Sequence, residues 1–289
     1  MDYFLDNREQ AIYVTTKRNG STLLSEICSI SENLESIELA TLTNILAKNK
    51  NIKIYAPIRD PYTRFKSGLS VNLYNRSNGV YDKIDDESLT LFKHMITYFN
   101  VSVLDTGKLL SVYPSIPFHL YDLHCDHWLG TLMIFSSLNY DLVTIPMYEF
   151  SKHLLDRFPE SIDYIKNRER TGSFDSPKIE YEKLYEVYKE VIDMTLFEQW
   201  MNPEVEIFNI LMSYTGTELN DRSADCLNKL LNKKIYFNDL YSPNTHTMFT
   251  IVQELSSRGL STNRLDQFLE LYQTIKDRSY KVYTIEIPL

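Results

Sequence analysis

The segment of this chain best suited to chemistry is a hexapeptide that follows a short β-branched run. Residues 11–16 are typical of a buried strand, and residues 17–22 read Lys-Arg-Asn-Gly-Ser-Thr before a helix-like apolar spacing begins. A strand that leads through such a loop into a helix gathers backbone N–H groups, hydroxyls and a cation around one point. Gly20 allows a close approach of the backbone to an anion, and Ser21 and Thr22 can donate from the first turn. This pattern predicts a phosphate or sulfate site; the alternative is a tight turn that caps a helix.

A second set of anion-binding side chains follows the next predicted strand. This strand, residues 52–58, ends at Arg59, where Asp60 is suited to cap a helix and Pro61 to be its first residue. Ser67 follows about two helical turns later. Since parallel strands open onto one carboxyl edge of a sheet, we expect Arg59 and Ser67 to hold a second anionic group near the first loop. The alternative for Arg59 is a surface ion pair with a nearby carboxylate.

Together the two motifs resemble those of the sulfotransferases that use 3′-phosphoadenylyl sulfate (PAPS). Residues 16–23 resemble the 5′-phosphosulfate loop of that family, and residues 59–68, Arg-Asp-Pro-Tyr-Thr-Arg-Phe-Lys-Ser-Gly, resemble its 3′-phosphate motif. The resemblance covers about residues 10–215. It implies a P-loop-NTPase-like sulfotransferase fold and transfer of a sulfuryl group from PAPS to a hydroxyl or amine of an acceptor. The implied product is adenosine 3′,5′-bisphosphate (PAP), and no metal is required.

The resemblance also implies a role for the residues of both motifs. Lys17 would stabilise the leaving phosphate oxygen in an in-line displacement, a reaction that depends on positioning and charge stabilisation. Arg59 and Ser67 would hold the 3′-phosphate, which distinguishes PAPS from ATP. The implied donor-binding residues are Lys17, Arg18, Asn19, Gly20, Ser21, Thr22, Leu23, Arg59 and Ser67.

A third resemblance concerns the group that deprotonates the acceptor. Residues 126–128, Asp-His-Trp, precede a predicted strand and resemble a segment of the carbohydrate sulfotransferase branch, in which a His of this stretch lies by the acceptor. Histidine has a pKa suited to general-base catalysis near neutral pH. We therefore expect His127 to be the catalytic base, with His124 second and a carboxylate such as Glu87 or Asp122 as the remaining alternative. The expected acceptor is a carbohydrate or a similar polar metabolite.

Two other functional classes use a loop of this kind. A P-loop kinase cradles its nucleotide in the same way, but here the Lys precedes Gly20, Gly-Lys-[Ser/Thr] is absent, and no obvious Mg²⁺-binding aspartate follows a hydrophobic strand. The other alternative is a non-catalytic nucleotide-binding module. The presence of Lys17, Arg59 and Ser67 argues against such a module.

The elements that must position these residues alternate between strands and helices. Strands are predicted at residues 11–16, 52–58, 140–146 and 280–287, and the main helices at 21–27, 61–74, 87–99, 149–158, 179–201 and 205–214. This order favours a three-layer α/β fold with a mainly parallel sheet and helices on both faces. We expect a PAPS-binding domain over residues 1–215 and a mostly helical C-terminal extension over residues 216–289.

Composition and charge restrict the class of protein and its partners. The 289 residues are 43% hydrophobic and 24% charged, which is ordinary for a globular chain. A net charge of −9 without a long basic run argues against nucleic acid or an anionic membrane as partner. Three widely separated cysteines argue against a disulfide framework or a zinc site. Since no secretion signal or membrane span is recognisable, we expect a cytoplasmic protein of bacterial or viral origin, whose oligomeric state the sequence leaves open.

Overall fold

The structure of the chain is a computed structural model that describes residues 1–76, 85–97, 101–103, 109–111, 125, 128–138, 140–171, 181–191, 194–212, 243–260 and 283–285. The strands within these residues are β1 (Asp2–Asp6), β2 (Ala11–Thr15), β3 (Leu34–Ile37), β4 (Lys53–Ile58), β5 (Val101–Val103), β6 (Leu109–Ser111), β7 (Asp141–Pro146) and β8 (Tyr283–Ile285). The α-helices are α1 (Ser21–Cys28), α2 (Leu39–Lys48), α3 (Pro61–Arg76), α4 (Asp86–Thr97), α5 (Leu129–Ser137), α6 (Met147–Arg157), α7 (Ile162–Thr171), α8 (Tyr181–Val191), α9 (Met194–Met212) and α10 (Pro243–Ser257).

Five strands form the central sheet, in the spatial order β3-β1-β2-β4-β7. β2, β4 and β7 pair in parallel, whereas β1 is antiparallel to both of its neighbours, β2 and β3. The sheet is therefore mixed, although the sequence predicts a mainly parallel one. The difference comes from β1, because residues 7–10 are too few for a parallel crossover and β2 must return antiparallel to it.

Helices cover both faces of this sheet, because alternate residues of each strand point to opposite sides. On one face the strands pack against α1 and α6; the buried residues there include Ala11, Tyr13, Tyr55, Leu24, Ile27, Phe150 and Leu154. On the other face they pack against α2, α5, α9 and α10; the buried residues there include Ile12, Val14, Ile54, Ala56, Leu42, Leu132, Ile207 and Ile251. The α/β class predicted from the sequence is confirmed.

A separate helical cluster lies beside the sheet and contains α3, α4, α8 and α9. Its buried residues include Phe65, Leu69, Phe92, Leu184, Tyr188 and Phe197. The helix predicted over residues 179–201 is divided between α8 and α9, and the helix predicted over 205–214 is the last part of α9. Thus α3, which carries the second motif, is anchored by helices from distant parts of the sequence.

The C-terminal part of the chain is described at two places. α10 contributes Ile251, Val252 and Leu255 to the main core, and β8 pairs with β6 in a three-stranded antiparallel sheet with β5. The domain boundary at residue 215 stays a prediction, since residues 213–242 lie outside the described residues. In the described part of the chain, none of the helices combines the length and apolar character needed to cross a bilayer.

Candidate functional site

The loop with the predicted anion site lies between β2 and α1, at the carboxyl end of a central strand. The N–H of Asn19 donates to the carbonyl of Thr16 over 3.0 Å, and the N–H of Leu24 donates to the carbonyl of Gly20 over 3.0 Å. The hydroxyl of Thr15 donates to the carbonyl of Asn19, which ties the turn to the end of β2. The loop is thus held by its own hydrogen bonds and leads directly into the helix.

Two residues of this loop have a left-handed backbone, Arg18 with φ 68° and Gly20 with φ 82°. A Cβ on Gly20 would lie 2.5 Å from Cε1 of Phe150 in α6. Glycine is therefore required at this position both by the backbone conformation and by the Phe150 ring. Arg18 has a Cβ, so its positive φ is an unfavourable conformation that the rest of the loop must maintain.

The start of α1 is suited to an anion. Its N-cap residue is Gly20, no side chain of the described residues caps it, and its first turn carries no acidic residue. The backbone N–H groups of a first turn have no partner within the helix and carry a partial positive charge. Ser21 is buried here and Thr22 is exposed, so the Thr22 hydroxyl is the more accessible of the two predicted donors.

The second motif begins where the sequence predicts it. α3 starts at Pro61, and Oδ1 of Asp60 accepts hydrogen bonds from the N–H of Thr63 over 2.7 Å and from its hydroxyl over 2.8 Å. Asp60 therefore caps the helix and Pro61 is its first residue, as predicted. Arg59, the residue after β4, is partly buried at this edge of the sheet.

The structure brings the two motifs into direct contact. Nε and Nη2 of Arg18 lie 2.8 Å and 2.5 Å from Oγ of Ser67, to which they donate. Nε of Arg64 donates to the carbonyl of Lys17 over 3.3 Å, and both Arg64 and Ser67 are buried. Because β2 and β4 are adjacent parallel strands, the loop and α3 lie at the same carboxyl edge of the sheet.

A cavity lies next to the predicted catalytic lysine. Nζ of Lys17 is 3.7 Å from Oδ2 of Asp2, and Asp2 pairs with Thr15 at the end of β2. Asp2 also lines a cavity of about 330 Å³, whose lining residues are Met1, Asp2, Tyr3, Ser36, Ile37, Glu38 and Leu39. This volume is at the lower end of the range for small-molecule sites, roughly 300 to 1,000 Å³.

Two acidic residues that line this cavity, Asp2 and Glu38, are absent from the site predicted from the sequence. Glu38 is exposed and lies between the end of β3 and the start of α2. The sequence signal for Glu38 is an acidic residue directly after a strand. However, that strand, β3, has only four residues, and its two central ones, Glu35 and Ser36, are polar, so it is hard to recognise. The carboxyl edge of the sheet next to Lys17 therefore has two acidic residues, and each is a candidate to accept a proton from a bound acceptor.

The predicted bases His127 and His124 lie outside the described residues, as does Asp122. Glu87, the other carboxylate considered, is exposed on α4. The assignment of the base to His127 stays a prediction.

Trp128, the residue after His127, directly precedes α5. The N–H groups of Trp128 and Leu129 donate to Oε1 of Glu204 over 2.8 Å and 3.0 Å. Glu204 lies on α9 and is buried, so this carboxylate caps the start of α5 from a distant helix. Trp128 is itself buried in the main core.

A histidine that the sequence analysis did not single out, His153, lies on α6 one turn after Phe150. Its Nε2 is hydrogen-bonded to the hydroxyl of Tyr13 over 2.9 Å, and its ring centroid is 5.0 Å from that of Tyr55. Burial, followed by the nearby Arg157 guanidinium, lowers the pKa of His153 from 6.5 to about 4. His153 is therefore neutral at physiological pH and belongs to the layer that supports the loop.

Comparison of the chain with protein-family models, with curated proteins and with solved structures finds no match. The resemblance to PAPS-dependent sulfotransferases thus rests on the motifs themselves. Among the described residues, no three His, Cys, Asp or Glu side chains are grouped so that they could hold a metal ion. The expectation of a metal-free reaction stays a prediction.

Proposed function

We propose that this protein is a PAPS-dependent sulfotransferase that transfers a sulfuryl group to a hydroxyl or amine of a carbohydrate or similar polar acceptor. The observation that carries the proposal is the contact between Arg18 and Ser67, which joins the two predicted anion sites. A nucleotide with phosphates at its 5′ and 3′ positions needs two such sites side by side. An ordinary nucleoside triphosphate needs only the first.

The residues of the loop fit the chemistry of sulfuryl transfer. A bond forms between the acceptor oxygen or nitrogen and sulfur, the bond from sulfur to the 5′-phosphate oxygen breaks, and PAP leaves with the electron pair. Lys17 is the cation proposed to stabilise the negative charge on that oxygen, next to the N-terminus of α1. Thr22 and the first N–H groups of α1 would hold the 5′-phosphate.

The acceptor would bind at the cavity beside Lys17. The ion pair between Lys17 and Asp2 connects the loop with this cavity, so a hydroxyl bound there would lie near the proposed sulfuryl position. His127 is the first candidate to take the acceptor proton and His124 the second, and Glu38 is a further candidate because it lines the cavity.

Ligand binding to the purified protein tests the proposal. Thermal shift and calorimetry without divalent cations should show that PAP binds much more tightly than adenosine 5′-phosphate. Equal affinities would contradict the proposal, and a strict Mg²⁺ dependence with preference for ATP would favour a kinase. An acceptor screen with labelled PAPS then separates a transferase from a module that binds PAP without transferring sulfuryl groups to any acceptor.

A further inference from the structure

Arg18 combines an unfavourable backbone with a specific side-chain contact. Its φ of 68° is a conformation that glycine adopts readily and a residue with a Cβ does not. Its guanidinium donates two hydrogen bonds to the hydroxyl oxygen of Ser67. A strained residue that persists at a ligand loop suggests that its side chain serves a function.

The surroundings of Ser67 make Arg18 the accessible member of the pair. Ser67 is fully buried, whereas Arg18 is partly exposed. A phosphate that binds beside Ser67 would therefore lie within reach of the Arg18 guanidinium. Two N–H groups of the Arg18 guanidinium donate to the one neutral oxygen of Ser67. A charged phosphate is a stronger acceptor for these two donors.

We infer that Arg18 is the residue that selects the 3′-phosphate: when the nucleotide binds, the guanidinium exchanges its hydrogen bonds to the Ser67 hydroxyl for bonds to the 3′-phosphate beside it. This inference rests on the proposed function and goes beyond it, because it moves a residue of the 5′-phosphosulfate loop to the other phosphate. Arg59 then provides charge at the same group, and Lys17 remains at the transferred group. In this arrangement, one loop contacts both the 5′-phosphosulfate and the 3′-phosphate of the donor.

The decisive variant is Arg18→Gly, because glycine accepts the backbone conformation and removes the guanidinium. Calorimetry without Mg²⁺ measures the dissociation constants of PAP and adenosine 5′-phosphate. We expect the preference for PAP to fall by about 10- to 100-fold, the usual effect of losing a charged hydrogen bond. Affinity for adenosine 5′-phosphate should stay within about threefold of wild type, since the 5′-phosphate is held by backbone N–H groups.

Two further variants make the result specific. Gln10 also has a positive φ, 51°, but lies in the exposed β1–β2 hairpin, so Gln10→Gly is a matched control that should leave the preference unchanged. Arg18→Lys keeps the charge but loses the planar fork, and should retain an intermediate preference. The melting temperature of Arg18→Gly should change little, because relief of the left-handed backbone offsets the lost contact and the greater freedom of glycine in the unfolded chain.

The outcomes separate this inference from the proposed function. If wild type does not prefer PAP, the proposed function is wrong. If wild type prefers PAP and Arg18→Gly keeps the full preference, only the inference about Arg18 is overturned, and selection of the 3′-phosphate belongs to Arg59. If Arg18→Gly is too unstable to measure, the preference of Arg18→Lys decides: an undiminished value overturns the inference and a reduced one supports it.

Discussion

The ring of Phe150 occupies the space next to Gly20 in which any other residue would place its Cβ. The distance from that position to Cε1 of Phe150 is 2.5 Å, closer than non-bonded carbon atoms approach each other. Phe150 is fully buried on α6, which packs against the same face of the sheet as α1. The shape of the loop is therefore determined by a helix from a distant part of the chain as well as by its own turn.

The variant Gly20→Ala should be unusually destabilising. Its left-handed backbone costs about 1–2 kcal/mol in an alanine, and overlap with Phe150 adds roughly 1–3 kcal/mol. Gly259→Ala is the matched control, because Gly259 has φ 77° but nothing within 4 Å of its added Cβ. Urea unfolding of both variants measures the difference. Equal losses would show that the Phe150 ring gives way and does not determine the loop.

The variant Lys17→Ala should lower turnover by about 10²- to 10³-fold, since it removes charge stabilisation at the leaving oxygen. PAP affinity should change much less. Lys48→Ala, on the exposed last turn of α2, is the control for loss of a positive charge. Asp2→Asn should leave stability nearly unchanged, because its pair with Lys17 is largely solvated. Full activity in Lys17→Ala would show that another cation, with Arg18 nearest in sequence, stabilises the leaving oxygen.

How much of the fold is readable from the sequence depends on the kind of strand. β2, β4 and β7 have β-branched or aromatic residues and are predicted almost residue for residue. β1 has only three apolar residues, which lie between Asp2 and Asp6, and β3 has four residues with Glu35 and Ser36 in the middle, so both patterns are too weak to recognise. Because these two strands are missing from the prediction, the sequence predicts a mainly parallel sheet although the sheet is mixed.

The same difference decides which parts of the site are predictable. Lys17 and Ser67 belong to motifs that follow recognisable strands, so their common edge is predicted from sequence order. Asp2 and Glu38 lie at the ends of the two unrecognised strands and are missed for that reason. The contact from Arg18 to Ser67 depends on a positive φ and on side-chain direction, neither of which residue spacing reports.

The low pKa of His153 makes a specific contribution to the pH dependence of stability. The unfolded chain takes up a proton near pH 6.5, while the folded chain takes it up only near pH 4. The free energy of unfolding should therefore be unaffected by this group above pH 6.5 and fall as the pH drops towards 4. The charged groups that influence the ring are Arg157, Glu9 and Asp156, and they remain in the variant described next.

His153→Gln removes this titration and keeps an acceptor for the Tyr13 hydroxyl. Its free energy of unfolding should fall less steeply than that of wild type between pH 6.5 and 4, with the two proteins more nearly equal at pH 7.5. Urea unfolding at closely spaced pH values gives both curves. Parallel curves would show that His153 is protonated in the folded protein with an ordinary pKa, and that burial by Tyr13, Tyr55 and Phe150 does not exclude the charge.

A histidine base at His127 and a carboxylate base at Glu38 predict different pH profiles. If His127 is the base, His127→Ala should lose about 10²- to 10⁴-fold in turnover with PAP affinity near wild type, and His124→Ala should lose much less. Activity of the wild type should then decline below a pKa in the histidine range, near 6.5. Glu38→Gln should in that case change the acceptor KM more than turnover, since its carboxylate only contacts the bound acceptor.

The reverse pattern would assign the base to the carboxyl edge of the sheet. Turnover of Glu38→Gln would fall by the same factor, the acid limb of the profile would move to lower pH, and both histidine variants would remain active. This outcome would remove the link to the carbohydrate branch, which rests on His127, while the donor site at Lys17 and Ser67 would stand. A carboxylate base fits the cavity because Glu38 and the ion pair of Asp2 with Lys17 lie at the same edge. Turnover of the His127 and Glu38 variants, measured side by side across pH 4 to 9, decides between the two groups.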